Sequence, residues 1–535
     1  MSLKSTGKRM VKPSTIYRMN IFAANVISEI LKTSFGPRGM HKMVIDQYGN
    51  LTVTNDGVSV LKDLTVEHPI AKLMVELAKT QSKEVGDGTK KVVILVGNLL
   101  KKAEKLLNQK IHPATIVEGY SKAMKKALEL TEKLAIPFNV EDKNFLKKIA
   151  KTALNSRIQY FWDELSELAV QAASMIMEKH NGKIVVDVKN RVLIRKKEGE
   201  SIKDSKIVQG VIINKEIAHP AMPKKMENAK IILTNQKLYL EKKYESADAF
   251  VPTIHVDSPQ KMREFLGEKL KLSKNWLDKI KASGANVLIS LVGIERSLED
   301  LMAKEGILAV RRADKEAFNL LPFACGGKIV GNLEDLTHEC LGYASLVEER
   351  KVGGGARADW MVFVEGCKNP KAVSILLRGG SWEVVDESEK ALKNALNAVA
   401  NAMETCKVLV GGGAIEVELA LHLKKYAVSL GGKEQLAVEA FAEALEEIPK
   451  ILVLNAGLNP EEVFTNIQAQ HEKGNPWIGF EALSKEVKNM FEEGIFEPFG
   501  LVTQTIKSAT ETANLILRID RLIRGFHPKG AIKKI

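Results

Sequence analysis

Between about residues 217 and 367 the chain changes texture. Short β-branched runs, AKIILT, NVLISLVG, ILAVRR and GKIVG, alternate there with helical pieces, whereas helical periodicity dominates on either side. Alternating strands and helices call for a sheet covered by helices. Set in the middle of a helical chain, this pattern predicts an α/β module inserted into a helical domain whose two halves come from opposite ends of the sequence. With 535 residues the chain is too long for one hydrophobic core and suits about three or four domains. The expected fold class is therefore α/β and multidomain.

In the N-terminal arm, Val92, Leu95, Val96, Leu99, Ala103, Leu106 and Leu107 recur every three or four residues and predict a long helix with one broad apolar face. Ahead of it, MVID and LTVT flank QYGN, which reads as a hairpin, and LTVT runs into the tight turn Asn55-Asp56-Gly57. Pro137 breaks the pattern, and a boundary near residues 140 to 150 fits before the helical stretch from Asp163 to Glu178 and the strands KIVVDV and VLIRKK. Ser258-Pro259 opens a helix carrying Met262, Phe265, Leu266, Trp276, Leu277 and Ile280, with Gly284 as its stop. Its apolar residues suit either core packing or an exposed grip on other proteins. Beyond residue 367, KAVSILLRGG reads as a buried strand, followed by a helix from about Glu383 to Met403 and by GGGAIEVELALHL, a glycine-rich loop entering another helix.

Hydrophobic residues make up 45% and charged residues 27%, which excludes a disordered chain, and no apolar run approaches the ~20 residues of a membrane span. The basic N-terminus lacks the apolar block of a secretory signal, so a cytoplasmic protein is expected. Four widely spaced cysteines support neither a disulfide framework nor a zinc site. The net charge of +13 is spread along the chain and reads as solvated surface, so no specific nucleic-acid partner is expected.

The stretch VGDGTKKVVIL, residues 85 to 95, puts glycines, an acid and a threonine at the mouth of the long helix. Glycines let backbone amides approach a phosphate, and the helix dipole adds attraction. Asp87 suits Mg²⁺, which prefers hard oxygen ligands, and Thr89 suits a helix cap or a phosphate contact. A plain capping turn explains the same residues. No GxxxxGK[ST] is present, so the loop is not a Walker A loop.

Further motifs run through nearly the whole chain in order: SFGPRGM (34 to 40), TNDG (54 to 57), GDGT (86 to 89), HPAMP (219 to 223), LVEERKVG (346 to 353), FVEGCKNPKAVSILLRGG (363 to 380), VDE (385 to 387), GGGAIEVELA (411 to 420) and NAGLNPEEV (455 to 463). Together they resemble the group II chaperonins, and most closely the archaeal thermosome subunits. The resemblance implies an equatorial ATP-binding domain (1–148 and 404–535), an intermediate hinge domain (149–216 and 368–403) and an apical substrate-binding domain (217–367) with a helical protrusion near 245–284. It also implies a double ring shared with other chaperonin subunits, unfolded polypeptides as substrates, and ATP with Mg²⁺ as cofactors. Carried over by position, Ser34, Phe35, Gly36 and Pro37 match the loop near the base and phosphates, and Asn55, Asp56 and Gly57 the turn beside the γ-phosphate. Asp87 matches the Mg²⁺ ligand, Gly88 and Thr89 the phosphate contacts, and Gly412 and Glu497 the ribose and base contacts.

The chain departs from the family pattern where chemistry is expected. Lys90 and Lys91 replace the last two threonines of GDGTTT. A lysine donates but cannot accept hydrogen bonds, and a cation at a helix N-terminus is unfavourable unless an anion compensates it. Asn394, in EKALKNAL, stands where the family carries the aspartate that polarises the attacking water. The alternative for Asn394 is a solvated polar face shared with Lys390, Asn397 and Asn401. The segment from Thr152 to Trp162 offers only Arg157 for a γ-phosphate-sensing lysine, His41 replaces an aspartate, and the tail GFHPKGAIKKI lacks Gly-Gly-Met repeats. The expectation is a subunit of a hetero-oligomeric chaperonin that binds ATP and hydrolyses it weakly, with Asp56 as the matched catalytic carboxylate. Two alternatives stand beside it: a competent ATPase using Lys90 on the γ-phosphate, and a structural ring subunit that no longer binds nucleotide.

Overall fold

A computed structural model describes residues 13–45, 49, 51–62, 68–154, 161–239, 259–353, 359–368 and 370–521. The chain forms two compact units, one from Met1–Tyr160 with Lys393–Ile535 and the other from Phe161–Leu392.

The first unit is helical and is built around Thr89–Asn108. Every residue from Lys91 to Leu100 in that helix is buried, so its N-terminal half is covered all round instead of showing one apolar face. A helix that is apolar on all sides belongs in the centre of a bundle. Helices Pro13–Lys32, Pro113–Leu134, Gly432–Asn455 and Phe499–Leu517 pack against it. Gly97 allows Pro13–Lys32 to approach closely: a Cβ there would meet Ser28 Oγ at 2.3 Å. On another face the buried Tyr120 donates its hydroxyl to Leu99 O at 2.7 Å and meets Phe441 edge-on.

The expected hairpin is present as Lys42–Ile45 paired antiparallel with Leu51–Thr54, Lys42 opposite Thr54; its connecting residues 46–48 and 50 lie outside those described. Met43, Ile45, Leu51 and Val53 are all exposed on it. The strand Lys407–Val410 is flanked by Ile136–Pro137 and Phe496–Pro498, which joins the two halves of the unit. The helix Lys143–Leu154 belongs to this unit, since Phe145 packs on both Phe138 and Phe496.

The second unit holds the α/β module. Its sheet runs Leu308–Val310, Val287–Ser290, Lys225–Thr234, Gly342–Val352, Asp359–Glu365 and Gly210–Ile213, with Ile329–Val330 pairing Lys225–Thr234. The first three neighbours are parallel, and Leu308–Val310, Val287–Ser290 and the paired residues Ile231 to Thr234 are all buried, as strands covered on both faces must be. The buried strand Val373–Gly379 forms a smaller sheet with Val192–Glu198 and Lys206–Val208. The helix Pro259–Ala282 begins at the expected proline and ends before Gly284, which has φ +74°. Leu277 and Ile280 of the expected stripe join the core, while Leu270 and Leu272, which the stripe did not include, are exposed. The side chains of Met262, Phe265 and Leu266, residues 245–258 and Arg157 lie outside the described residues. Among the described residues no helix is long and apolar enough to cross a membrane.

Candidate functional site

Three turns of the first unit converge on the start of Thr89–Asn108. The first follows Pro13–Lys32: Ser34 is buried and donates its hydroxyl to Leu31 O at 2.8 Å. Asn455 donates to Lys32 O and Phe35 O, both at 2.8 Å, and so fixes the backbone ahead of Pro37. Gly36 has φ +80°, and a Cβ on it would meet the Leu452 side chain at 2.5 Å.

The second turn carries Asn55, Asp56 and Gly57. Asn55 is buried, and Asp56 Oδ2 accepts the Ser59 amide at 2.7 Å, so one carboxylate oxygen caps the short helix Gly57–Lys62. In the third turn Gly86 and Gly88 adopt φ +81° and +74°, where a side chain would be strained. Gly88 is the N-cap of the long helix and no side chain caps it; Thr89 is the first helical residue, buried, and not the cap. The helix therefore presents amides that no side-chain cap satisfies, a suitable arrangement for an anion.

The two lysines diverge. Lys90 donates to Ser34 O at 2.8 Å and to Asn55 Oδ1 at 3.2 Å, tying the helix start to both other turns. Lys91 is 7% exposed and its ammonium pairs with Glu416 Oε1 and, at 2.6 Å, with Glu497 Oε2. Burial works against the Lys91 charge, but the two carboxylates outweigh it and hold the proton well above the usual lysine range. Burial likewise pushes the Glu416 carboxyl up, against the pull of Lys91. Glu416 Oε2 is buried with no hydrogen-bond partner among the described residues.

Such a triad is held together by completeness. Removing the lysine alone would leave two carboxylates facing each other in a poorly solvated site, at a cost of about 3 to 5 kcal/mol. Lys91→Met is therefore expected to lower the thermal unfolding midpoint clearly, whereas Lys91→Arg keeps most of the stability; calorimetry of the three chains checks this.

Asp87 is ringed by protein yet keeps some contact with solvent. Its Oδ1 accepts the Gly88 amide at 2.7 Å. Burial lifts its carboxyl to about 6 against that hydrogen bond; the Glu497 and Asp56 charges push the same way, and Lys90 pulls down. A carboxylate crowded by other carboxylates is suited to a divalent cation. No group of three or more His, Cys, Asp or Glu among the described residues could hold a metal by itself. Mg²⁺ keeps waters and binds through one or two carboxylates plus phosphate oxygens, so at Asp87 it would need a bound phosphate beside it.

Asn394 is half-buried on the helix Trp382–Thr405. Three residues on, Asn397 lies so close to Gly86 that a Cβ there would meet its Nδ2 at 2.1 Å. Asn401 abuts Gly500 in the same way, so this face is packed at these two positions instead of being a freely solvated row. Gly412, φ +64°, accepts the Phe480 amide through its carbonyl at 2.9 Å and leaves no room for a Cβ beside Met490. Glu497 stands opposite Leu409, on the strand next to that loop. Two residues escaped sequence reasoning. Glu416 had a signal, an acid in the first turn of a helix behind three glycines; Asn397 had only its spacing from Asn394.

The TCP-1/cpn60 chaperonin family matches residues 27–526. The thermosome subunit beta of Archaeoglobus fulgidus is 48% identical over 507 residues, covering 95% of this chain and 91% of that protein. A thermosome subunit of Pyrococcus horikoshii is 46% identical, covering 95% and 90%. Among solved structures, the open-state monomer of a group II chaperonin from Methanococcoides burtonii is 40% identical with a TM-score of 0.61, covering 81% of this chain and all of that one. The fold, the order of motifs and these likenesses agree, and the chain belongs to the TCP-1/cpn60 chaperonin family, among the thermosome-type subunits of group II chaperonins.

Proposed function

We propose that this subunit binds Mg²⁺–ATP at the convergence of its three glycine turns, hydrolyses it weakly, and works beside catalytically complete subunits in a double ring that assists folding of unfolded polypeptides in the cytoplasm. The observation that carries the reading is the placement of an asparagine, Asn394, one turn from the residue packed on Gly86, beside an otherwise formed phosphate cradle. Asp87 would hold the metal, Gly88 and Thr89 at the mouth of the helix the phosphate oxygens, and Gly412 and Glu497 the nucleoside. Mg²⁺–ATP, when bound, would supply the phosphoryl group that is released. An amide at Asn394 orients water but takes up no proton at neutral pH.

Lys90 carries the competing reading of a rearranged, competent site, because its ammonium lies at Asn55, next to Asp56. Its hydrogen bonds to Ser34 O and Asn55 Oδ1 favour a structural cross-link instead. The exposed Met43, Ile45, Leu51 and Val53 of the hairpin, with Met19, Phe22 and Val26 along one face of Pro13–Lys32, support burial against neighbouring subunits. The exposed Leu270 and Leu272 support a grip on unfolded chains, and the division 1–148 with 404–535, 149–216 with 368–403, and 217–367 remains the proposed domain plan.

Equilibrium binding of ATP and phosphate release by the isolated chain test this reading together. Mg²⁺-dependent binding is expected with turnover about 10²-fold or more below that of a family member carrying the aspartate. Matching turnover would remove the weak-hydrolysis reading, and absence of binding would favour a purely structural subunit.

A further inference from the structure

Stability does not account for Lys91. A lysine buried with two glutamates bears a desolvation penalty that apolar side chains of similar volume avoid, so such a triad is better explained by what it positions. Of its two carboxylates, Glu416 is sealed at 4% exposure, whereas Glu497 keeps 20%. Glu497 sits on the strand Phe496–Pro498, beside the loop that opens helix Ala414–Leu430; a Cβ on Gly411 would lie 3.4 Å from its Cγ. Its Oε2 is held by Lys91 at 2.6 Å, which leaves Oε1 as the oxygen with capacity to spare. An unanchored glutamate would have to lose side-chain freedom on binding a ligand, and here it would also be repelled by its carboxylate neighbours.

Resting on the nucleotide reading of this site, we infer that Lys91 is a positioning residue for sugar recognition: by fixing one oxygen of Glu497 beside Gly411, it presents the carboxylate as an acceptor for the ribose hydroxyls of a bound nucleotide. The lysine that looks from the sequence like a phosphate contact thus acts on the opposite end of the ligand, through another side chain. Its role is to set which sugar the site accepts.

Equilibrium binding of ATP, 2′-deoxy-ATP and 3′-deoxy-ATP to the full chain, with Mg²⁺, tests the assignment. A hydrogen bond to a charged acceptor predicts that at least one deoxy analogue binds about tenfold or more weakly than ATP. Glu497→Gln, nearly isosteric, should bring that ratio toward one. Lys91→Met, measured well below its unfolding temperature, should do the same, and Lys91→Arg should restore most of the preference. A variant that merely loosens the fold lowers all three affinities alike and leaves the ratio standing; an unchanged ratio in Lys91→Met overturns the inference, whatever Glu497→Gln does. Equal binding of all three nucleotides by the wild-type chain overturns it as well. If the wild-type chain binds none of them, the nucleotide reading itself falls, and that result is distinct from a preserved ratio.

Discussion

Replacing Asn394 with aspartate is expected to raise phosphate release from ATP by about 10²- to 10⁴-fold, the range that a general base or water-orienting carboxylate contributes. The substitution is nearly isosteric, so the packing of Trp382–Thr405 should survive it, and Asn397 remains in place against Gly86. What changes is chemistry: an ionised carboxylate accepts a proton from the attacking water, which an amide does not. The same charge joins Asp56, Asp87 and Glu497 around one ligand, so ATP affinity should fall while turnover rises. Single-turnover phosphate release alongside equilibrium ATP binding separates the two effects. Unchanged turnover in a variant that still binds Mg²⁺–ATP would show that more than this position limits the reaction, with Lys90 as the next residue to examine.

Asp87→Asn is expected to move function and stability in opposite directions. Without the carboxylate, Mg²⁺-dependent nucleotide binding should be lost. The apo protein should nevertheless become more stable at neutral pH, because the native fold raises this carboxyl from 3.8 to about 6 and so favours its neutral form. The sign follows from that direction: stability from the neutral acid is complete below about pH 4, and it is lost as pH rises through about 6. The variant's advantage therefore grows from pH 4 to 6 and holds above it, reaching at most about 3 kcal/mol and less in so far as solvent reaches the carboxylate. Thermal unfolding at pH 4.5 and 7.5, with and without Mg²⁺–ATP, checks each part. Equal midpoints for both chains at pH 7.5 would contradict the burial argument, and Mg²⁺–ATP should stabilise the wild-type chain alone.

Much of the fold was legible because its signals are local. AKIILT, NVLISLVG and ILAVRR are apolar on both faces and sit in the parallel part of the sheet, and MVID and LTVT pair across their turn. The candidate site was legible only along the backbone. Glycine turns announce a close approach, yet nothing adjacent to Lys91 says where its ammonium goes: its partners lie 325 and 406 positions away in sequence. Successive helix residues point about 100° apart, so Lys90 reaches the other turns while Lys91 enters the core. Thr89 shows the same limit on a smaller scale. Threonine is a favoured cap, but the left-handed backbone at Gly88 moves the cap one residue earlier.

The first unit draws its helices from both ends of the chain, and this has a consequence during synthesis. Thr89–Asn108 leaves the ribosome early, with an apolar run from Val92 to Val96 that the fold buries on every side, but Gly432–Asn455 and Phe499–Leu517, which help to cover it, emerge last. At roughly 5 to 20 residues per second, the interval between the end of that helix and the start of the last one is on the order of 20 to 80 s. The sheet of the second unit is contiguous in sequence and can close in the meantime. A nascent chain of this kind carries a central helix only partly covered for most of its translation, so a chaperonin subunit is itself a candidate client of folding machinery.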